Sequence, residues 1–146
     1  MVSDTKPKNF IPKFEVVSCF IEYNGKILLL KRQSNKPQPN KYGVPAGKID
    51  KKETIIGAVI REVKEETGIT IPVSSITFYA SKFVEYDDLK FIYHMFNYKI
   101  DDLPSVTINP IEHQKYLWEY PENCLNLDLI QDEDYCIKDY YRIEVS

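Results

Sequence analysis

The sequence predicts an α/β/α sandwich, in which a mixed β-sheet lies between layers of helices. Residues 27–30 and 91–96 are apolar at nearly every position, which is typical of strands that are buried on both faces. Residues 55–67 and 129–141 instead repeat apolar side chains near helical spacing. Because such strands need cover on both sides, we expect helices on the two faces of one sheet.

Length and charge are those of one globular domain. The chain has 146 residues, 43% of them hydrophobic, which is enough for one substantial core. Residues 1–13 are polar and are predicted to form a flexible N-terminal arm, and residues 14–146 to form the domain. The net charge of −3 argues against binding nucleic acid through its phosphates. A nucleotide substrate stays open, because metal ions can mediate that contact.

The composition also indicates a compartment. Three widely spaced cysteines form no CxxC pair, so we expect reduced thiols: Cys19, Cys124 and Cys136. No apolar run approaches the roughly 20 residues of a membrane span, and residues 1–8 lack the apolar region of a signal peptide. We therefore expect a cytoplasmic protein without a membrane partner.

The first strands are marked by a turn. Asn24-Gly25 separates the apolar runs 14–23 and 26–32, and this dipeptide between such runs predicts a β-hairpin. The polar residues 33–41 that follow contain two prolines and predict a mobile flap.

The next element is a helix with well-defined ends. Breaker residues predict a loop over 43–47, and Thr54 is a suitable N-cap for a helix over 55–67. Gly68 supplies the left-handed residue that ends it, and Pro72 prevents a restart. The stripe expected to face the core consists of Ile56, Val59, Ile60 and Val63.

The second half of the chain repeats strands before a last helix. Apolar runs over 74–86 and 89–100 flank an acidic turn, and a short strand is predicted over 114–119. His94 within such a strand is expected to be packed and hydrogen-bonded rather than a ligand. The apolar spacing over 129–141 predicts a closing amphipathic helix.

Three glutamates of the predicted helix lie close together. Glu62 and Glu65 are three residues apart and Glu62 and Glu66 are four apart, so their carboxylates project from one helix face. Like charges at these spacings cost a helix roughly 0.2–0.5 kcal/mol per pair. A chain that keeps all three together is expected to compensate them with cations.

These glutamates belong to a longer spaced pattern. It comprises Gly47, Glu53, Arg61, Glu62, Val63, Glu65, Glu66, Gly68 and Ile69. The pattern resembles the complete Nudix box, and a solvated acidic helix face would not also require the glycine, glutamate and arginine at set distances. The resemblance implies the Nudix-type α/β/α sandwich from residue 14 to the end of the chain.

The resemblance also implies a divalent metal site. Nudix enzymes use Mg²⁺, with Mn²⁺ as an alternative, and Mg²⁺ prefers carboxylate and water oxygens. The resemblance assigns Glu62 and Glu66 as principal metal ligands and Glu65 as a ligand or a water-mediated partner. A main-chain carbonyl near Gly47 is a further candidate oxygen.

Three more residues are assigned around this metal site. Glu53 and Arg61 resemble the supporting pair of the family, because a guanidinium matches a carboxylate at two points; Glu53 reaching a second metal is the alternative. Glu112 precedes Trp118 by six residues, like a late-loop ligand of the nucleotide-sanitising Nudix enzymes, with a solvated loop glutamate as the competing interpretation. The general base is either Glu62 or Glu112, and the number of metal ions stays open.

Three residues are candidates for contact with substrate. Arg32 ends a predicted strand and could lie near the phosphates, or it could simply solubilise the strand end. Tyr42 could stack on a base, against the alternative of ordinary packing in a chain with 11 tyrosines. Lys48 could contact a phosphate. Ala46 stands where a second glycine is common in the sanitising subgroup.

We therefore predict a Mg²⁺-dependent pyrophosphohydrolase. It would cleave, by attack of water on phosphorus, a nucleoside diphosphate linked to another group. The alternative is a Nudix-fold module that binds a nucleotide without hydrolysing it, although such modules usually lose box glutamates. Nucleoside triphosphates, dinucleoside polyphosphates and nucleotide sugars all stay open as substrates, as do a monomer and a homodimer.

Overall fold

The computed structural model describes residues 1–144 and confirms a mixed sheet combined with helices. The strands are β1 (Val2–Ser3), β2 (Phe14–Tyr23), β3 (Lys26–Arg32), β4 (Tyr42–Gly43), β5 (Ala46–Lys48), β6 (Thr77–Tyr86), β7 (Leu89–Ile100) and β8 (His113–Glu119). The α-helices are α1 (Ile55–Thr67), α2 (Pro121–Cys124) and α3 (Glu133–Tyr141). No helix within residues 1–144 has the length and apolar character needed to cross a membrane.

The sheet has the strand order β1-β6-β7-β2-β3-β4. The long central pair β2 and β7 is parallel, and the other pairs are antiparallel. β5 pairs with the middle of β2 and β8 pairs with β3. The short β5 is thereby held beside the centre of the sheet, where the loop before α1 begins.

Two apolar cores lie on opposite faces of this sheet. Alternate residues of β2 point to different sides, so that Val17 packs with the α1 residues Val59 and Val63, whereas Phe20 packs with Ile137 of α3. All four residues over 27–30 are buried, as their continuous apolar pattern predicts. The sheet therefore separates a face covered by α1 from a face covered by α3.

The predicted ends of α1 and of the first hairpin are confirmed. The side chain of Thr54 accepts a hydrogen bond from the Gly57 N–H at 3.0 Å, and Gly68 ends the helix with a left-handed φ of 76°. Asn24 and Gly25 both have positive φ, at 53° and 82°, as a two-residue hairpin turn requires.

Four sequence expectations need correction. Ile56 is 43% exposed, because the buried side of α1 runs through Ala58 and Val63. The expected loop over 43–47 forms parts of two short strands, since its backbone pairs with β3 and β2. A 3₁₀ turn delays β6 to Thr77. α3 begins only at Glu133, because the preceding backbone bonds to Tyr42 instead.

The N-terminal residues also differ from the expected flexible arm. β1 pairs with the edge strand β6, and Phe10 is only 3% exposed, with its ring against Phe83. The residues before β2 are therefore packed onto the domain. The division of the chain at residue 13 stays a prediction, and residues 145–146 of the predicted domain lie outside the described part.

Candidate active site

The box glycine and the first box glutamate of α1 fit against each other. Gly47 lies in β5, and a Cβ there would stand 2.1 Å from the carboxyl carbon of Glu62. The Glu62 side chain is only 15% exposed, and burial raises its pKa. The glycine is thus required by the close approach of a carboxylate to the backbone.

Arg61 connects this carboxylate to the loop before α1. Its Nε and Nη2 donate to the two oxygens of Glu53 at 2.6 and 2.8 Å, the expected two-point contact. Its Nη1 donates to Glu62 at 2.9 Å and to Glu65 at 3.2 Å, and its Nη2 also reaches the Lys48 carbonyl at 3.1 Å. The guanidinium lowers the pKa of Glu53 to about 2. With Asp50 at 3.5 Å from Nη2, this one cation pairs with four carboxylates.

Glu66 is held against the residue that precedes Gly47 in β5. Its carboxylate accepts a hydrogen bond from the Ala46 N–H at 2.8 Å. Burial nevertheless raises its pKa to about 8, and the negative charges of Glu62 and Glu112 add to this, while Arg32 opposes it. A cation bound beside Glu66 would favour its ionised form.

Glu112 stands near this group but is paired elsewhere. Lys36, in the segment 33–41, lies 3.3 Å from the Glu112 carboxylate. The same segment is joined to the 109–113 loop through Gln33, whose side chain donates to the Pro110 carbonyl at 2.7 Å. Glu112 is therefore close enough to influence Glu66, but its bond in this structure is to Lys36.

The donors present suit Mg²⁺ in chemical type. Glu62 and Glu66 present carboxylate oxygens beside the Ala46–Gly47 backbone, and the glycine leaves the space that a Cβ would fill. Among residues 1–144, no three His, Cys, Asp or Glu side chains are yet gathered as closely as a bound metal ion requires. In this structure the carboxylates are paired with Arg61, the Ala46 N–H and Lys36.

A cleft of about 660 Å³ opens beside the box, on the sheet face that carries α3. Arg32, Gly47 and Lys48 line one end of it. The Lys48 ammonium lies 4.2 Å from the centre of the Phe14 ring, which packs on the Phe91 ring at 5.2 Å. Two of the three predicted substrate residues, Arg32 and Lys48, thus line this cleft, and Lys48 lies beside its aromatic rings.

The structure does not bring Tyr42 into this cleft. β4 pairs with β3, and the Tyr42 ring packs against the core cluster below α3, with the Lys31 ammonium 5.8 Å away. The packing alternative is therefore the one observed, because strand pairing fixes where the side chain points. His94 is likewise packed, between Glu15 at 2.7 Å and Ser81 at 2.6 Å.

The cleft also contains a buried acid, Glu133, that the sequence did not indicate as a site residue. Glu133 is 2% exposed and accepts a hydrogen bond from the Val44 N–H at 2.7 Å. Burial raises its pKa to about 7. Its only sequence signal is an acid in the first turn of a helix, which is ordinary at a solvated helix end.

Comparisons with known proteins identify the family of the chain. The family model described as NUDIX domain matches residues 12–140. The CTP pyrophosphohydrolase of Escherichia coli is 33% identical over 115 residues, which is 79% of this chain and 82% of that protein. The ADP-ribose pyrophosphatase of Methanocaldococcus jannaschii is 43% identical over 60 residues, 41% of this chain and 35% of that protein.

Solved structures show the same fold. The crystal structure of a MutT protein from Methanosarcina mazei is 26% identical with a TM-score of 0.75, and the match covers 90% of this chain and 94% of that one. Fold, site and relatives together define a hydrolase that acts on phosphoanhydride bonds. The chain belongs to the Nudix family and is MutT-like.

Proposed function

We propose that this protein is a Mg²⁺-dependent pyrophosphohydrolase that cleaves a nucleoside diphosphate linked to another group. The observation that carries the proposal is the pair of carboxylates held against the short strand β5, whose residues Ala46 and Gly47 line the cleft. Glu62 fits against Gly47, and Glu66 binds the Ala46 N–H. The end of the cleft beside them carries the cations Arg32 and Lys48.

The residues that would hold the metal are Glu62, Glu65, Glu66, Glu112 and, through its carbonyl, Gly47. When bound, Mg²⁺ would neutralise phosphate oxygens and lower the pKa of water. The chain's own part is to position the reactants. Arg61 and Glu53 fix the helix against the loop, and Arg32 and Lys48 attract the phosphates. Glu62 and Glu112 are the two candidates to accept the proton of the attacking water.

The relatives favour a substrate class to test first. CTP, cleaved to the monophosphate and pyrophosphate, is suggested by the name of the Escherichia coli protein, and ADP-ribose by that of the Methanocaldococcus protein. A nucleoside triphosphate fits the site, since its phosphates would meet the cationic end of the cleft and its base the aromatic rings of Phe14 and Phe91.

The test is a substrate panel with product analysis. Purified protein with Mg²⁺ or Mn²⁺ is given the common nucleoside triphosphates, a dinucleoside tetraphosphate, ADP-ribose and nucleotide sugars. We expect nucleoside monophosphate from at least one of them, and in ¹⁸O-labelled water one ¹⁸O in one product, which identifies the phosphorus attacked. Glu66→Gln, purified in the same way, controls for contaminating activity.

The binding-module alternative makes the opposite prediction. Tight nucleotide binding, measured by calorimetry, without turnover of any member of the panel with either metal would establish that alternative and contradict the proposal.

A further inference from the structure

The N-terminal residues, which lie outside the segment matched by the family model, form part of the wall of the cleft. The model begins at residue 12, whereas β1 pairs with β6 in the register Val2↔Val84 and Ser3↔Phe83. Val2 and Val84 both line the cleft. We propose that residues 2–4 position Val2 as the far end of the subsite for the nucleoside part of the substrate. This rests on the function proposed above.

The register of four strands places Val2 in one continuous row. Val2 is opposite Val84, Val84 is opposite Phe91, and Phe91 is opposite Phe14. Directly opposed residues point to the same face of a sheet, and all four line the cleft. Strands lie about 4.8 Å apart, so this apolar floor extends about 14 Å from Phe14 to Val2. Lys48, beyond Phe14, marks its phosphate end.

A buried charge holds these residues in place. The Lys82 ammonium lies 2.5 Å from Asp4 and 2.9 Å from Asp139 of α3, and the Lys82 side chain is only 6% exposed. Tyr79 donates a further hydrogen bond to Asp139 at 2.9 Å. Because a buried ammonium needs such partners, Lys82 fixes the N-terminal residues and α3, the two sides of the cleft, to the same point of β6.

The chain is also anchored on the opposite face of the sheet. Phe83 and Val84 are consecutive in β6 and point to opposite faces, and Phe10 packs edge-on against Phe83 at 5.4 Å. The residues between Asp4 and Phe10 thus pass around the edge of β6. This anchor is independent of the Asp4–Lys82 pair, so changes at residues 2 or 4 leave it intact.

Binding of two products separates this role from a general loss of structure. Inorganic pyrophosphate with Mg²⁺ is a probe of the box end alone, whereas a nucleoside 5′-monophosphate must also occupy the floor. Titration calorimetry on the full chain compares wild type with Val2→Ser. We expect a roughly threefold to tenfold rise in the Kd of the monophosphate, from lost apolar contact, and an unchanged Kd for pyrophosphate.

Two further variants test the role of Asp4 in positioning. Asp4→Ala should reproduce the selective loss of monophosphate affinity although Val2 is retained, and Asp4→Glu should restore it. Val73→Ser, at a site that is 68% exposed and outside the cleft, is the matched control for the apolar change. Asp102→Asn, at an exposed position of the 101–110 loop, controls for the lost charge.

The outcomes are distinct. Selective loss in Val2→Ser and Asp4→Ala supports the inference. Equal weakening of both probes, or no change in either, overturns it while the proposed function stands. If the wild-type protein binds none of the five common monophosphates and no pyrophosphate, the proposed function fails and this inference with it.

Discussion

Two glutamates approach one short backbone segment from opposite sides, and they differ instructively. Glu66 of α1 accepts the N–H of Ala46, and Glu133 of α3 accepts the N–H of Val44. Burial raises the pKa of both, to about 8 and about 7. Glu66, however, lies in the field of two other carboxylates, Glu62 and Glu112, whereas among residues 1–144 only the charge of Asp134 adds to the raised pKa of Glu133.

Burial alone therefore does not mark a carboxylate as a candidate metal ligand. A cluster of like charges gains from a cation that all its members share, whereas an isolated buried carboxyl group is most simply satisfied by a proton. We therefore expect Glu66 to be ionised and to bind Mg²⁺. We expect Glu133 to be protonated and to contribute to folding stability through its hydrogen bond. The following experiments separate the two.

The largest difference between the Glu66 and Glu133 variants is expected in turnover. Glu66→Gln should lower kcat by orders of magnitude, because the amide still accepts from Ala46 but cannot supply the charge that holds the metal. Glu133→Gln should lower kcat far less. Both are measured at saturating nucleotide, with circular dichroism to check the fold. Similar losses in the two variants would contradict the distinction.

The two glycines of the segment give the next largest difference. A Cβ at Gly47 would collide with the Glu62 carboxyl group at 2.1 Å, whereas one at Gly43 would meet the flexible end of Ile130 at 2.7 Å. Gly47→Ala should therefore cost about 1–3 kcal/mol of unfolding free energy and displace Glu62, with loss of activity. Gly43→Ala should be milder in both urea unfolding and rate. A reversed order would show that the glycine is not there for the carboxylate.

The pH dependence of the unfolding free energy should reveal the raised pKa of Glu133. Its pKa rises from 4.5 to about 7 on folding, so its contribution is fully present below pH 4.5 and is lost as the pH rises through about 7. Relative to Glu133→Gln, the wild-type unfolding free energy should fall by up to about 3 kcal/mol over this window. Urea unfolding at a series of pH values measures it, and Glu66 contributes equally to both proteins. If the unfolding free energies of wild type and Glu133→Gln changed in parallel with pH, the raised pKa of Glu133 would be contradicted.

Metal linkage should also separate the two glutamates. Mg²⁺ at one hundred times its Kd should raise the unfolding free energy by about 2.7 kcal/mol, and hence the Tm, because it binds the folded site. Glu133→Gln should keep this rise and Glu66→Gln should lose it. A calorimetric scan with and without Mg²⁺ measures it, and a Ca²⁺ scan at matched ionic strength shows whether the effect is selective. An unchanged wild-type Tm at millimolar Mg²⁺ would argue against the site.

Much of the box and the surrounding fold could be predicted from local pattern. The bounds of α1, its caps Thr54 and Gly68, and the joining of Glu53, Arg61 and Glu62 all follow from residues less than 15 positions apart. Helical spacing and capping act over such distances, so the pattern along the chain already contains the geometry.

Contacts between distant segments could not be read in this way. The Val44–Glu133 hydrogen bond joins residues 89 positions apart, and the Asp4–Lys82 pair joins residues 78 apart. Neither Glu133 nor Asp4 is unusual among its neighbours in the sequence. Their partners are set by the order and register of the strands, so the far side of the cleft became visible only when the folded sheet brought its edges and α3 together.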